Sequence, residues 1–320
     1  MDRKEFNRLF TMGLGAGIAN LNGANNLLEI FRENSLSGLK GIPKTDTHMH
    51  IMDFDNFEYP WLNQYPEINK SFLIKDYEKA SRKSNISKSI FIESGAKAGS
   101  SIEETKRILT LAKQSQKLKG LVPRGTIANQ EKFNTHIDTL LTLGSEMIKG
   151  IRGQINQNII QSPEFITCMN YLEKNNLNFD LLIRPGLFLN MAKVIDKTPH
   201  TIFIINHLGF PNIEKGEIDF WQKGIGELAK RPNVYCKISG VLTQAGENWN
   251  LDMIRPFTDF VIKSFGFKRL MYGSDWPGIL RIDSFHTWSR AFENLTKQYS
   301  EDEINHLYHL NADRVYRLDD

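Results

Sequence analysis

His48 and His50, in Thr45-Asp46-Thr47-His48-Met49-His50, close a short apolar segment, and His207 and Asp275 answer them far downstream. Imidazole nitrogens and a carboxylate are groups that bind a transition-metal ion, activate a water or polarise a carbonyl. Side chains two apart on a strand point the same way, so both imidazoles and Asp46 are expected to project together while Thr47 and Met49 face oppositely. Each residue also has a plain structural reading. A lone His-x-His is more often structural than ligating, and Asp275 before Trp276-Pro277 reads by itself as a turn residue. The weight lies in the set: three histidines and an aspartate, all at the ends of apolar segments.

Those segments recur about every thirty residues, the size of a βα repeat. The strand candidates are 44–51, 88–93, 119–126, 147–154, 178–184, 201–207, 233–239 and 268–275. Periodic helical stretches such as 102–118 and 252–265 lie between them. Ser162-Pro163-Glu164 places a cap before a first-turn proline, and Ser300 with Glu303 has capping-box spacing. Eight short apolar strands, each followed by a helix, predict an α/β fold of the closed (β/α)8 TIM-barrel kind over residues 44–320 rather than a doubly wound sheet. No Gly-rich dinucleotide or phosphate-loop fingerprint follows any strand, which leaves a nucleotide cofactor without support.

In such a barrel the chemistry belongs at the C-terminal ends of the strands. Polar residues gather there: His48 and His50, Arg152, Arg184, His207, Lys237 and Asp275. The two-residue period puts Phe203, Ile205 and His207 on one face and Met271, Gly273 and Asp275 on another, and both faces are assigned to the barrel interior. Arg152 and Arg184 could instead pair with carboxylates inside the barrel, and Lys237 could snorkel to the rim.

Composition narrows the classes. The 320 residues are 40% hydrophobic with a formal net charge of +3, enough for a large core and without the clustered basic surface of a nucleic-acid binder. Cys168 and Cys236 cannot build a disulfide framework and suit a reduced, cytoplasmic setting or simple burial. No apolar run approaches the roughly 20 residues of a membrane span. Residues 1–43 read as a separate extension. Asp2-Arg3-Lys4-Glu5-Phe6, followed by the small, weakly apolar stretch to Ala19, resembles a degenerate twin-arginine leader to the periplasm; the other reading is an amphipathic helix packed outside the fold. A homo-oligomer is left open.

Several longer stretches carry a family resemblance: DTHMHIMDFDNFEYPWL at Asp46–Leu62, FDLLIRP at Phe179–Pro185, FIINHLGFP at Phe203–Pro211, VYCKISGVLTQA at Val234–Ala245, LMYGSDWP at Leu270–Pro277 and NADRVYRL at Asn311–Leu318. In this order they resemble the amidohydrolase superfamily. Within it they are similar to the branch of sugar-acid lactonases acting on L-rhamnono- and L-fucono-lactones, with the pyrone-dicarboxylate and sulfomuconolactone hydrolases. The resemblance implies a barrel that opens lactones. It places His48 and His50 on strand one, His207 on strand six and Asp275 on strand eight as catalytic residues and as ligands of a single zinc, if one is held. Other branches bridge two metals with a residue from strand four. Here Lys149 alternates outward if Arg152 points inward, so a two-metal site is not expected. Asn206 stands where the family usually has an aspartate able to orient the following histidine, which lowers the expected metal affinity.

Lactone hydrolysis needs a nucleophilic water, an electrophilic carbonyl and a proton for the leaving alkoxide. On this reading Asp275 is the general base, and His48, His50 and His207 polarise the carbonyl directly or through one zinc. Arg152, Arg184 and Lys237 hold the substrate's oxygens or a carboxylate, while Tyr59, Trp61 and Trp276 form an apolar or sugar-stacking wall. Two other readings keep the barrel: a metal-dependent decarboxylase or amide hydrolase, and a non-catalytic binder of sugar acids.

Overall fold

The computed structural model describes residues 41–127 and 129–318. Eight strands follow one another: β1 (Lys44–Met49), β2 (Ile86–Ile92), β3 (Leu118–Val122), β4 (Gly150–Gln154), β5 (Asn178–Leu182), β6 (Phe203–Ile205), β7 (Val234–Ile238) and β8 (Leu270–Tyr272). They pair in parallel in chain order, β1 to β3 in one sheet and β4 to β8 in another. Parallel bridges Leu121–Ile148 and Arg124–Arg152 join the two sheets. The ring closes where Met49 pairs with Trp276 and the Asp275 N–H donates to the His48 carbonyl at 2.8 Å. The fold is the (β/α)8 barrel that the alternating segments predict. The expected N-terminal extension, with its helix or leader, lies almost wholly outside the described residues.

One main helix follows each strand: α1 (Ile74–Ser81), α2 (Ser101–Ala112), α3 (Gln130–Gly144), α4 (Pro163–Lys174), α5 (Phe188–Ile195), α6 (Asp219–Ala229), α7 (Leu251–Phe265) and α8 (Phe285–Thr296). Their starts are chemically marked. Ser162 accepts from the Glu164 N–H with Pro163 in the first turn of α4, and Asn250 accepts from the Met253 N–H to open α7. The Ser300–Glu303 capping box is formed as well. The helix expected over 102–118 is shorter: α2 stops at Ala112, turns close through Gln114 and Ser115, and Leu118 already belongs to β3.

Ile90, Ile92, Val122, Ile204 and Met271 fill the barrel centre. They pack with Ala312, Val315, Tyr316 and Leu318 of the C-terminal segment, whose helix α9 spans Asn311–Tyr316. Each such side chain contributes about 1.5–3 kcal/mol when fully buried.

Two side-chain assignments made from strand alternation change. On β6 it is Ile204 that joins the central cluster, not Phe203 and Ile205. Phe203 meets Phe179 edge-on at 6.3 Å, and Phe179 meets Phe165 of α4 at 5.8 Å, which places this face against the helices. His207 still reaches the mouth, because the chain leaves strand geometry there: φ is +53° at His207 and +54° at Leu208. On β1, Asp46 does not travel with the imidazoles. Its carboxylate accepts from Tyr77 of α1 at 2.9 Å and from the Ser274 hydroxyl and N–H at 2.6 and 2.8 Å. A register shift between Asp46 and Met49 in the β1–β2 pairing breaks the alternation on which the expectation rested.

Candidate active site

His48 and His50 leave β1 side by side, their ring centroids 5.0 Å apart, and the His207 ring lies 4.3 Å from that of His48. All three Nε2 atoms face one carboxylate oxygen. Asp275 Oδ1 is 3.9 Å from His48, 3.5 Å from His50 and 3.8 Å from His207. The four groups expected from the sequence therefore converge at the C-terminal mouth of the barrel, across more than two hundred positions of chain.

Their orientations are fixed from behind. His50 Nδ1 lies 2.9 Å from the Ile92 carbonyl, which can only accept, so that nitrogen carries the hydrogen. His207 Nδ1 lies 3.0 Å from the buried Ser239 hydroxyl, which can donate or accept. Two glycines make room. A side chain at Gly240, where φ is +59°, would come within 2.6 Å of His207 Nδ1, and one at Gly273 would meet the Cβ atoms of His48 and Ser239 at 2.9 Å. Asp275 itself sits at φ +59°, which turns its carboxylate from the end of β8 toward the imidazoles.

Burial holds His48 and His207 neutral. It pushes His48 well below its ordinary range, helped by the charges of His207, Lys237, His50 and Arg152. Burial likewise lowers His207 to about 4, against the pull of Asp275. For Asp275, burial would raise the carboxyl, but His207, the hydrogen bond and charge of His50, and Arg152 outweigh it and keep it below the usual carboxylate range. The site thus presents an ionised carboxylate beside His48 and His207, which burial keeps neutral, and 14% of the Asp275 side chain stays exposed, enough for water to reach it.

Such a set fits a single divalent cation. His48, His207 and Asp275 offer ligand atoms within 4.8 Å of one another. A tetrahedral zinc site with bonds of about 2.0–2.2 Å spaces its ligands roughly 3.3–3.6 Å apart, close to the separations seen here. His50 Nε2 faces the same carboxylate at 3.5 Å, with its Nδ1 held against the Ile92 carbonyl.

Beside the imidazoles stands a cluster that the strand reading missed. Glu93, just after β2, forms an ion pair with Arg152, whose Nε is 3.0 Å from Oε1, and accepts from Arg124 Nε and Nη2 at 3.0 and 2.8 Å. Arg152 Nη1 then lies 3.4 Å from His48 Nε2. A carboxylate closing the apolar run Ile90-Phe91-Ile92 was the available signal, the same one that picked out the other strand ends. Glu104 of α2 is buried next to it, accepts from the Ser94 N–H at 3.3 Å and is raised by burial and by Glu93 to about 8.

The expected substrate contacts divide. Arg184 is exposed and lies over the Phe210 ring at 5.1 Å, and Phe210 in turn packs on His207, so the guanidinium stands at the rim. Lys237 is fully buried: it pairs with Asp180, which also takes Asn206 at 2.9 Å and Tyr316 at 3.2 Å, and it has no exposed atom to offer a substrate. An ammonium in mid-barrel needs that partner more than it could reach the rim. The aromatic wall is likewise mostly core. Trp276 is 1% exposed, against Phe72 and Tyr77, and Tyr59 is 3% exposed with its hydroxyl on the Asp53 N–H. Trp61 alone is partly open, its indole N–H on the Ser94 carbonyl at 3.0 Å.

A parallel barrel with imidazoles at the ends of its first and sixth strands and an aspartate after its eighth defines the class. Residues 154–318 match the amidohydrolase family model, and the chain belongs to that family. It is 27% identical over 296 residues to the protein y4mH of Sinorhizobium fredii, covering 85% of this chain and 98% of that one. It is 24% identical to an L-fucono-1,5-lactonase of Burkholderia ambifaria, covering 86% and 96%. Among solved structures, a Burkholderia multivorans amidohydrolase with bound zinc superposes with a TM-score of 0.75 at 22% identity, over 87% of this chain and all of that one. Among the described residues no helix is long and apolar enough to cross a membrane.

Proposed function

We propose that this amidohydrolase opens the ring of a sugar-acid or related carboxylated lactone. One observation carries the reading: the partly exposed Asp275 carboxylate lies at the barrel mouth within 3.5–3.9 Å of three imidazole nitrogens. The similarity to the Burkholderia ambifaria lactonase supports it.

Asp275 accepts a proton from water as that water adds to the ring carbonyl carbon. When Ser239 donates to its Nδ1, His207 carries its hydrogen on Nε2 and donates it to the developing oxyanion. A zinc ion held by His48, His50, His207 and Asp275 would supply Lewis acidity to the carbonyl and acidity to water. The ester C–O bond then breaks, and the proton on Asp275 passes to the departing alkoxide, giving a hydroxy acid that ionises at neutral pH. Arg184 at the rim and Arg152 beside His48 face the substrate's oxygens or a carboxylate.

The reading is tested by following acid release from L-fucono-1,5-lactone and from a carboxylated pyrone lactone, over the uncatalysed background. Enzyme-dependent opening of either is expected. Decarboxylation of an aromatic acid or cleavage of an amide, abolished by chelation and without lactone opening, would replace this reading with the metal-dependent one. Binding of aldonolactones without turnover would replace it with a non-catalytic barrel.

A further inference from the structure

Arg152 is held from two sides. Its Nε lies 3.0 Å from Glu93 Oε1, and its Nη1 is 3.4 Å from His48 Nε2. Glu93 is itself locked, since its other oxygen takes Arg124 at 2.8 and 3.0 Å and the Gly95 N–H at 2.8 Å, while Arg124 Nη1 is tied to the Ala96 carbonyl at 2.8 Å. The carboxylate cannot swing away and the guanidinium is fixed with it. A guanidinium has donors only and does not give up its charge. The N–H aimed at His48 therefore points at the lone pair of the nitrogen that, with those of His50 and His207, faces Asp275. One lone pair cannot serve an N–H and an ion together, and a pinned positive charge repels a divalent cation placed beside it.

We propose that Arg152 is a built-in competitor for the metal: anchored by Glu93, its guanidinium engages the His48 lone pair and lowers the affinity of this centre for a divalent cation. Affinity is then set as much by the arginine as by the four ligands. The inference holds whatever substrate the site accepts.

The test is zinc binding to the chelator-stripped full-length protein, measured by competition with a chromogenic zinc chelator, with no activity readout. Arg152→Gln is expected to bind zinc at least tenfold more tightly than the parent; unchanged or weaker binding overturns the proposal. Arg124→Gln removes a charge on the far side of Glu93 and is expected to tighten binding less than threefold. An equal gain in both variants would make the effect one of net charge and would also overturn it. Should Arg152→Gln fail to fold by circular dichroism, Arg152→Lys keeps the charge but loses the forked reach to His48. It is then expected to bind zinc about threefold more tightly, and the absence of any gain overturns the proposal.

Discussion

His50 Nε2 and Asp275 Oδ1 face each other across 3.5 Å while His50 Nδ1 lies against the Ile92 carbonyl. An imidazole so anchored and a carboxylate are both ligand groups for a divalent cation, and an ion between them would bind both. Added zinc is therefore expected to raise the thermal midpoint. At one hundred times the dissociation constant the gain is about 2.7 kcal/mol. His50→Ala should lose most of that rise under the same zinc concentration. An equal rise in the variant would mean that zinc acts elsewhere.

Ser239 acts through His207. Its hydroxyl, 3.0 Å from Nδ1, holds the ring with Nε2 toward Asp275. Ser239→Ala is expected to lower kcat about 10- to 100-fold, the usual loss when the partner behind a working histidine is removed. KM should change little, because Ser239 is fully buried behind His207. A change confined to KM would contradict this role.

The Lys237–Asp180 pair is a buried structural feature next to the site. Asp180→Ala leaves the ammonium alone in the barrel and is expected to cost about 3–5 kcal/mol in urea unfolding. Replacing both, as in Asp180→Leu with Lys237→Met, should recover most of the loss, since the uncompensated charge disappears with its partner. A double variant as unstable as the single one would contradict it.

Glu104 makes stability depend on pH. Its carboxyl is raised from 4.5 to about 8 by burial and by neighbouring Glu93. Between those values the unfolded chain has lost this proton and the folded one keeps it, so the unfolded state binds fewer protons and stability falls as pH rises. The slope is about 1.4 kcal/mol for each pH unit where the difference is one full proton. Glu104→Gln removes this contribution, so its advantage over the parent should grow from pH 5 to pH 8 and then level off. Urea unfolding at several pH values measures it, and a constant difference between the two proteins would contradict the assignment.

The barrel and its four central groups were legible in the sequence because they rest on local rules. Apolar runs at βα spacing and caps such as Ser162 and Ser300 reproduce the element order, and the polar strand ends gave His48, His50, His207 and Asp275. The misassignments have physical causes. Strand alternation fails where the backbone turns left-handed, as at His207 and Asp275, or where the register slips, as after Asp46. Long side chains near a strand end do not reveal their partners, so Lys237, bound to Asp180 from β5, and Trp276, packed on α1, looked available to a substrate. Glu93 was marked only by its place at the end of an apolar run; its partners Arg124 and Arg152 lie on two later segments that the folded chain brings to it.

The most direct test of the account is the rate of lactone opening by Asp275→Asn, an isosteric change that removes the base and keeps the turn after β8. With L-fucono-1,5-lactone or a carboxylated pyrone lactone, whichever the parent opens, the variant is expected to be slower by about 100- to 10,000-fold while melting as a folded protein. A folded Asp275→Asn protein that opens the lactone as fast as the parent would contradict the central claim.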